Sequence, residues 1–149
     1  MAHNTLVASD YGLLDDTDFT PKPNYWAALL WHRLMGPTVL DSGVPIGQGM
    51  HVYAHCQAGT PGGVSLLAIN NDRAGERTLR LSTAAERYTL AADPLESRTV
   101  TLNGQPLTLG PGDELPALDG TPVEAGDITL APATITFLAI PTAGNPACS

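Results

Sequence analysis

A chain of 149 residues fits one ordinary domain and can bury a real core, since a domain of this size removes roughly two-thirds of its unfolded surface from water. Fifteen Gly and thirteen Pro lie between short apolar runs rather than in one block, which reads as turns and not as disorder. Fifteen acidic residues against seven basic ones give a net charge of −8, with Lys22 the only lysine, which excludes a phosphate-binding surface and with it nucleic acid as a partner.

No run of about 18 apolar residues exists, so no membrane span is expected. Met1-Ala2-His3-Asn4 has neither the charged nor the apolar region of an export signal, and none is expected to be encoded here. Thr5-Leu6-Val7-Ala8 reads as a short strand, followed by a loop through Ser9-Asp10-Tyr11-Gly12 and an acidic stretch from Asp15 to Asp18. Pro21-Lys22-Pro23 then opens a segment in which Trp26, Leu29, Leu30, Arg33 and Leu34 fall at i, i+3, i+4, i+7 and i+8, and Gly36-Pro37 closes it. That spacing predicts an amphipathic helix of about three turns. Its apolar face, Trp26 and Leu30 flanked by Tyr25 and Trp31, is large for so short an element. The face must pack on something, and the sequence does not say that the something is in this chain.

From Thr38 onward the period switches to two. Strands are expected at Thr38–Leu40, His51–Gln57, Val64–Asn70, Arg77–Leu81, Arg87–Ala92, Arg98–Leu102, Pro106–Leu109, Ile128–Leu130 and Thr134–Ile140, the rhythm of an antiparallel β-sandwich. Asn103-Gly104 is a hairpin signal, because both residues tolerate the positive φ of a type I′ turn. Val64 to Ile69 and Ile135 to Ile140 are apolar on both faces, as central strands are. Gly110 to Gly126 reads as a turn-rich excursion.

Candidate chemistry is sparse. His51 and His55 would share a metal on a helix, but on a strand four residues of rise separate their rings by roughly 13 Å, so no metal site is expected. Asp15-Asp16-Thr17-Asp18 lacks the glycine and distal glutamate of a calcium loop and reads as solvated charge ahead of a helix N-terminus. No nucleophile elbow, phosphate loop or CxxC occurs, and Glu76, Glu86, Glu96, Glu114 and Glu124 fall in or beside turns. Cys56 and Cys148 are either two buried thiols or one bridge, with the bridge favoured because a cysteine at a Pro-rich terminus has little packing reason to exist.

A wider pattern extends this reading. Asp10-Tyr11-Gly12-Leu13-Leu14-Asp15, then Pro21-Lys22-Pro23-Asn24-Tyr25-Trp26 leading into Leu29-Leu30 and Leu34-Met35-Gly36, resembles the end of the catalytic barrel in heparanase-like glycoside hydrolases, glycoside hydrolase family 79. Val52-Tyr53-Ala54-His55-Cys56, Leu67-Ala68-Ile69-Asn70, Val100-Thr101-Leu102-Asn103-Gly104, Leu107, Asp113 to Leu118, Leu130-Ala131-Pro132-Ala133, Phe137 and Ala147-Cys148 are similar, in order and spacing, to that family's C-terminal β-sandwich. The resemblance implies a mainly β fold: residues 1–37 as a barrel remnant of one strand, a loop and a helix, and 38–149 as the sandwich.

The family's enzymes are retaining β-glucuronidases, in which an acid/base and a nucleophile stand roughly 5 Å apart at the C-terminal ends of barrel strands. Neither catalytic glutamate maps onto this chain, so the resemblance implies a non-catalytic portion, without cofactor or metal. Its expected partners are a (β/α)8 barrel and, through the assembled enzyme, a glucuronic-acid-containing polysaccharide. Tyr11 matches a tyrosine lining the family's substrate cleft, with Asp10 beside it, while Ser9 stands where the family pattern has glycine. Cys56 and Cys148 match a family disulfide, which together with the family's habit implies secretion. The resemblance also implies that the helix packs against missing barrel elements, and that the sandwich borrows a strand from elsewhere in the enzyme. The competing expectation is a stand-alone carbohydrate-binding or structural module. Only Tyr53 and Tyr88 lie on expected strands, which is little platform for sugars.

Overall fold

A computed structural model of the chain describes residues 6, 7, 10–45, 47 and 49–149. Of the strand expected at Thr5–Ala8, both end residues lie outside that set, as does Ser9. Leu6 and Val7 form a bend, and the Leu6 carbonyl accepts the Leu14 N–H at 2.9 Å.

Helix α1 runs Pro23–Leu34. Pro23 stands in the first turn, where its missing N–H costs nothing and its fixed φ suits the helix. His32 and Arg33 place basic groups in the last turn, toward the negative end of the helix dipole. Pro37 disfavours helical φ/ψ at Gly36, and by Met35 the chain is already extended. It passes without a break into β1 (Met35–Leu40), so the boundary expected at residue 37 falls inside a strand.

The remaining strands are β2 (Met50–Gln57), β3 (Val64–Asn70), β4 (Arg77–Leu81), β5 (Ala85–Ala91), β6 (Thr101–Leu102), β7 (Gln105–Pro106), β8 (Thr121–Val123), β9 (Gly126–Leu130) and β10 (Thr134–Ile140). One eight-stranded sheet has the order β1-β2-β3-β10-β5-β6-β7, with β8 also paired to β5. Strands β4 and β9 form a separate two-stranded sheet. Every recorded pairing is antiparallel. The two runs read as apolar on both faces are β3 and β10, which lie side by side at the centre. The β6–β7 hairpin turns through Asn103 (φ 49°) and Gly104 (φ 84°), the two positive values that a type I′ turn requires. Strand β8 breaks the expected excursion: Pro122 sits opposite Glu86 at the margin of the sheet, where no N–H is needed from it.

The large sheet is covered on both faces, and each face has its own core. On one side Leu67, Phe137, Ala139, Tyr88 and Leu90 meet Trp26, Leu30 and Leu34 of α1, which are 2%, 1% and 8% exposed. Those three residues recur every four positions, one stripe of a helix. This corrects one expectation: the apolar face of the helix packs on the sheet of its own chain, with Leu29 half-buried at its flank, rather than standing bare for absent barrel elements. On the other side Ala68, Leu138 and Ile140 pack against Leu79, Leu81, Ile128 and Leu130 of the β4–β9 layer. The outward residues of that layer, Thr78, Arg80, Asp127 and Thr129, are exposed, as in a half-solvated antiparallel sheet. The fold is thus an unequal sandwich, eight strands against two, preceded by a helix.

Candidate functional site

Loop residues 10–22 fold back on themselves before α1 begins. The Asp15 N–H reaches the Thr20 carbonyl, and Lys22 N–H the Leu13 carbonyl, each at 2.9 Å. Asp15 Oδ1 accepts the Thr17 N–H and Asp18 Oδ1 the Thr20 N–H, both two residues ahead, the Asx geometry that lets a short acidic stretch turn. Hydrogen bonds from the side chain and then the backbone N–H of Thr20 hold the Asp18 carboxyl below its ordinary range. Phe19 sits at the tip with φ 60° and is 59% exposed.

This loop and the start of α1 face the segment 98–115 of the sheet domain across a cleft of about 1180 Å³. Asp10, Asp15, Asp18, Phe19, Lys22 and Tyr25 line it from the loop and helix, and Arg98, Leu107, Leu109, Asp113 and Leu115 from the sandwich. Arg98 Nη1 lies 3.8 Å from Asp15 Oδ2 across the opening. Of the two candidate substrate-binding residues, Tyr11 and the neighbouring Asp10, it is Asp10 that lines this space. Tyr11 follows it, 62% exposed, with its carbonyl accepting the Asn24 side-chain amide at 3.1 Å. The first turn of α1 thereby fixes the backbone at Tyr11.

The other singled-out residues fall elsewhere. His55 Nδ1 is 2.6 Å from the Gly36 carbonyl and its ring meets Trp31 edge-on, centroids 5.1 Å apart. His51 Nε2 is 3.5 Å from the Asn71 amide, so the two histidines have separate partners. Among the described residues no three His, Cys, Asp or Glu side chains gather where they could hold a metal. Cys56 and Cys148 form a disulfide across 92 positions, and Gly62 N–H binds the Cys148 carbonyl at 2.8 Å, so β2 holds the C-terminal turn.

Sequence reasoning missed two features. Asn70, 1% exposed at the end of β3, donates to the carbonyls of Gly75, Leu130 and Ala131 at 2.9, 3.1 and 3.0 Å, and accepts the Asp72 N–H at 3.1 Å. It ties the two sheets where the chain crosses between them. The available signal was a polar residue ending a two-sided apolar run. The second is the cleft itself, whose walls lie about 90 positions apart in sequence and left no local trace.

No family model matches the chain. It is 36% identical to the baicalin-β-D-glucuronidase of Scutellaria baicalensis, an alignment covering 92% of this chain and 27% of that protein. Heparanase-like protein 2 of Arabidopsis thaliana is 29% identical over 99% of this chain and 36% of its own length. Mouse (Mus musculus) heparanase is 33% identical over 85% of this chain and 26% of its own length. A solved GH51 arabinofuranosidase from Xanthomonas axonopodis pv. citri aligns at 19% identity over 68% of this chain and 21% of that one, with a TM-score of 0.35, too low to carry any argument. The chain is a partial, C-terminal-type region of the heparanase-like glycoside hydrolases, family 79. It spans roughly a quarter to a third of the length of the curated relatives it matches.

Proposed function

We propose that this chain is the non-catalytic C-terminal portion of a retaining β-glucuronidase acting on glucuronic-acid-containing glycans, in which it buttresses a (β/α)8 barrel and contributes Tyr11 and Asp10 to the substrate cleft. The observation that carries the reading is the match over 92% of the chain to 27% of the length of a glucuronidase. A retaining glycosidase needs two carboxylates on barrel strands, and those belong to the remaining length. Alone, the chain does not hydrolyse glycosides.

Two surfaces support a partner. Val39 and Tyr53, 71% and 47% exposed, sit on the same face of the sheet as His55 and its neighbour Trp31, leaving apolar area beside α1 for the barrel. On the opposite face Val44, Met50, Val52 and Leu66 are only partly buried. Here Gly49 lies against the Arg77 guanidinium on β4, whose recorded pairing is to β9 alone, and a strand from elsewhere in the enzyme would both complete this layer and cover those residues. The disulfide supports an oxidising compartment and hence a secreted enzyme.

The test is a chimera in which this chain replaces the matching region of the Scutellaria baicalensis glucuronidase. In an active chimera, Tyr11→Ala is expected to raise KM about tenfold with the fold intact. Unchanged kcat and KM would remove Tyr11 from the substrate cleft and leave a purely supporting domain.

A further inference from the structure

We infer that Asn103, in the β6–β7 turn, is a deamidation site that the fold holds closed, and that its conversion undocks the hairpin from β5. Of the six asparagines, only Asn103 is followed by glycine. Gly104 has no side chain to obstruct the approach, so its backbone nitrogen can give up its proton to a solvent base and attack the Asn103 side-chain carbonyl carbon. A C–N bond forms there, the bond from that carbon to Nδ2 breaks, and Nδ2 leaves as ammonia. Water then opens the resulting succinimide to aspartate or isoaspartate.

Gly104 is exposed, and nothing stands within 4 Å of where its Cβ would be, so solvent reaches it. The Asn103 amide, by contrast, is engaged at both ends. Its oxygen accepts the Thr89 N–H at 2.8 Å, and its nitrogen donates to the carbonyls of Arg87 at 3.0 Å and Asp119 at 3.4 Å. The Asn103 N–H also binds the Thr89 carbonyl, at 2.8 Å. The nitrogen that must depart is therefore tied to two carbonyls, and the carbon under attack is held to β5. Reaction proceeds through local opening of the hairpin, at a rate set by how often these bonds break together.

The product does not fit the seat it left. A carboxylate at 103 keeps an acceptor for the Thr89 N–H but turns its second oxygen on the carbonyls of Arg87 and Asp119, acceptor against acceptor. Isoaspartate also lengthens the main chain by one carbon in a turn of two residues, where length sets the register. Next to Asp119, Gly120 lies so close to β5 that a Cβ there would stand 2.7 Å from the Tyr88 ring, so the hairpin, β5 and this segment share one seam. The hairpin and its exit carry Leu102 and Leu107, both buried in the core beneath α1, and undocking uncovers that core.

The test incubates the chain at neutral pH, folded and in concentrated urea, and follows each asparagine by peptide mapping with mass spectrometry that separates aspartate from isoaspartate. In urea Asn103 is expected to convert ahead of the other asparagines. Folding is expected to slow its conversion about tenfold or more, as for reaction through an opened state. Equal rates in the two states would overturn the gate, and faster conversion of any other asparagine in urea would overturn the site. Undocking is read on chains modified while folded, separated by their added negative charge. These are expected to lose amide-exchange protection at Thr89, Asn103 and Leu107, and Asn103→Asp, made directly, to melt about 5 °C or more below the wild type. Unchanged protection in the modified chains, or a variant that melts with the wild type, would overturn the undocking.

Discussion

Asn70 shows how one buried polar side chain can join two layers. Its amide nitrogen faces three carbonyls with two hydrogens, so one of those contacts is shared, and its oxygen takes a backbone N–H. Asn70→Ala strands several buried partners at once and is expected to cost about 2 to 4 kcal/mol, read as a lower denaturant midpoint at unchanged slope. Tyr88 offers a pH test. Burial, and then its hydrogen bond to Glu86 at 2.8 Å, push its pKa from 10.0 to about 12. The raised value means the folded state keeps the proton longer than the unfolded one. The associated stability is therefore complete below pH 10 and is lost as pH rises toward 12. Thermal unfolding of the wild type should decline through that window, and Tyr88→Phe should flatten the decline. Equal slopes in the two proteins would contradict this.

At the scale of elements, the disulfide between β2 and the C-terminal turn closes a 92-position loop, worth about 4 to 5 kcal/mol in the chain-entropy model. Reduction should lower the midpoint accordingly, and Cys148→Ser should reproduce the loss; stability unchanged by reductant would rule out that contribution. Much of this architecture was legible in sequence because its signals were local. β3, β4 and β10 have the limits their patterns predict, and the Asn103-Gly104 turn follows from two residues. What escaped had non-local causes. β8 is three residues long and contains Pro122, too short for a period to register. The destination of α1 was misread because an apolar stripe says that a helix packs, while its partner, Leu67, Phe137 and Tyr88, comes from three separated strands. Of the two residues expected at a substrate cleft, Asp10 lines the cleft found here and Tyr11 follows it in the chain, and their part in binding is a proposal. Phe19, Arg98 and Leu115 carry no motif and come to line one cleft only through folding.

On the scale of the whole molecule, two cores share one sheet, yet apolar area remains beside α1 and beside β4. A domain that leaves such area uncovered is suited to a larger assembly. As the proposed complement to a catalytic barrel, the chain is tested most directly by β-glucuronide hydrolysis with three proteins: the isolated chain, the Scutellaria baicalensis glucuronidase lacking its matching region, and the chimera carrying this chain there. Hydrolysis is expected from the chimera and from neither part alone. Hydrolysis by the isolated chain, or a truncated relative as active as the chimera, would contradict that role.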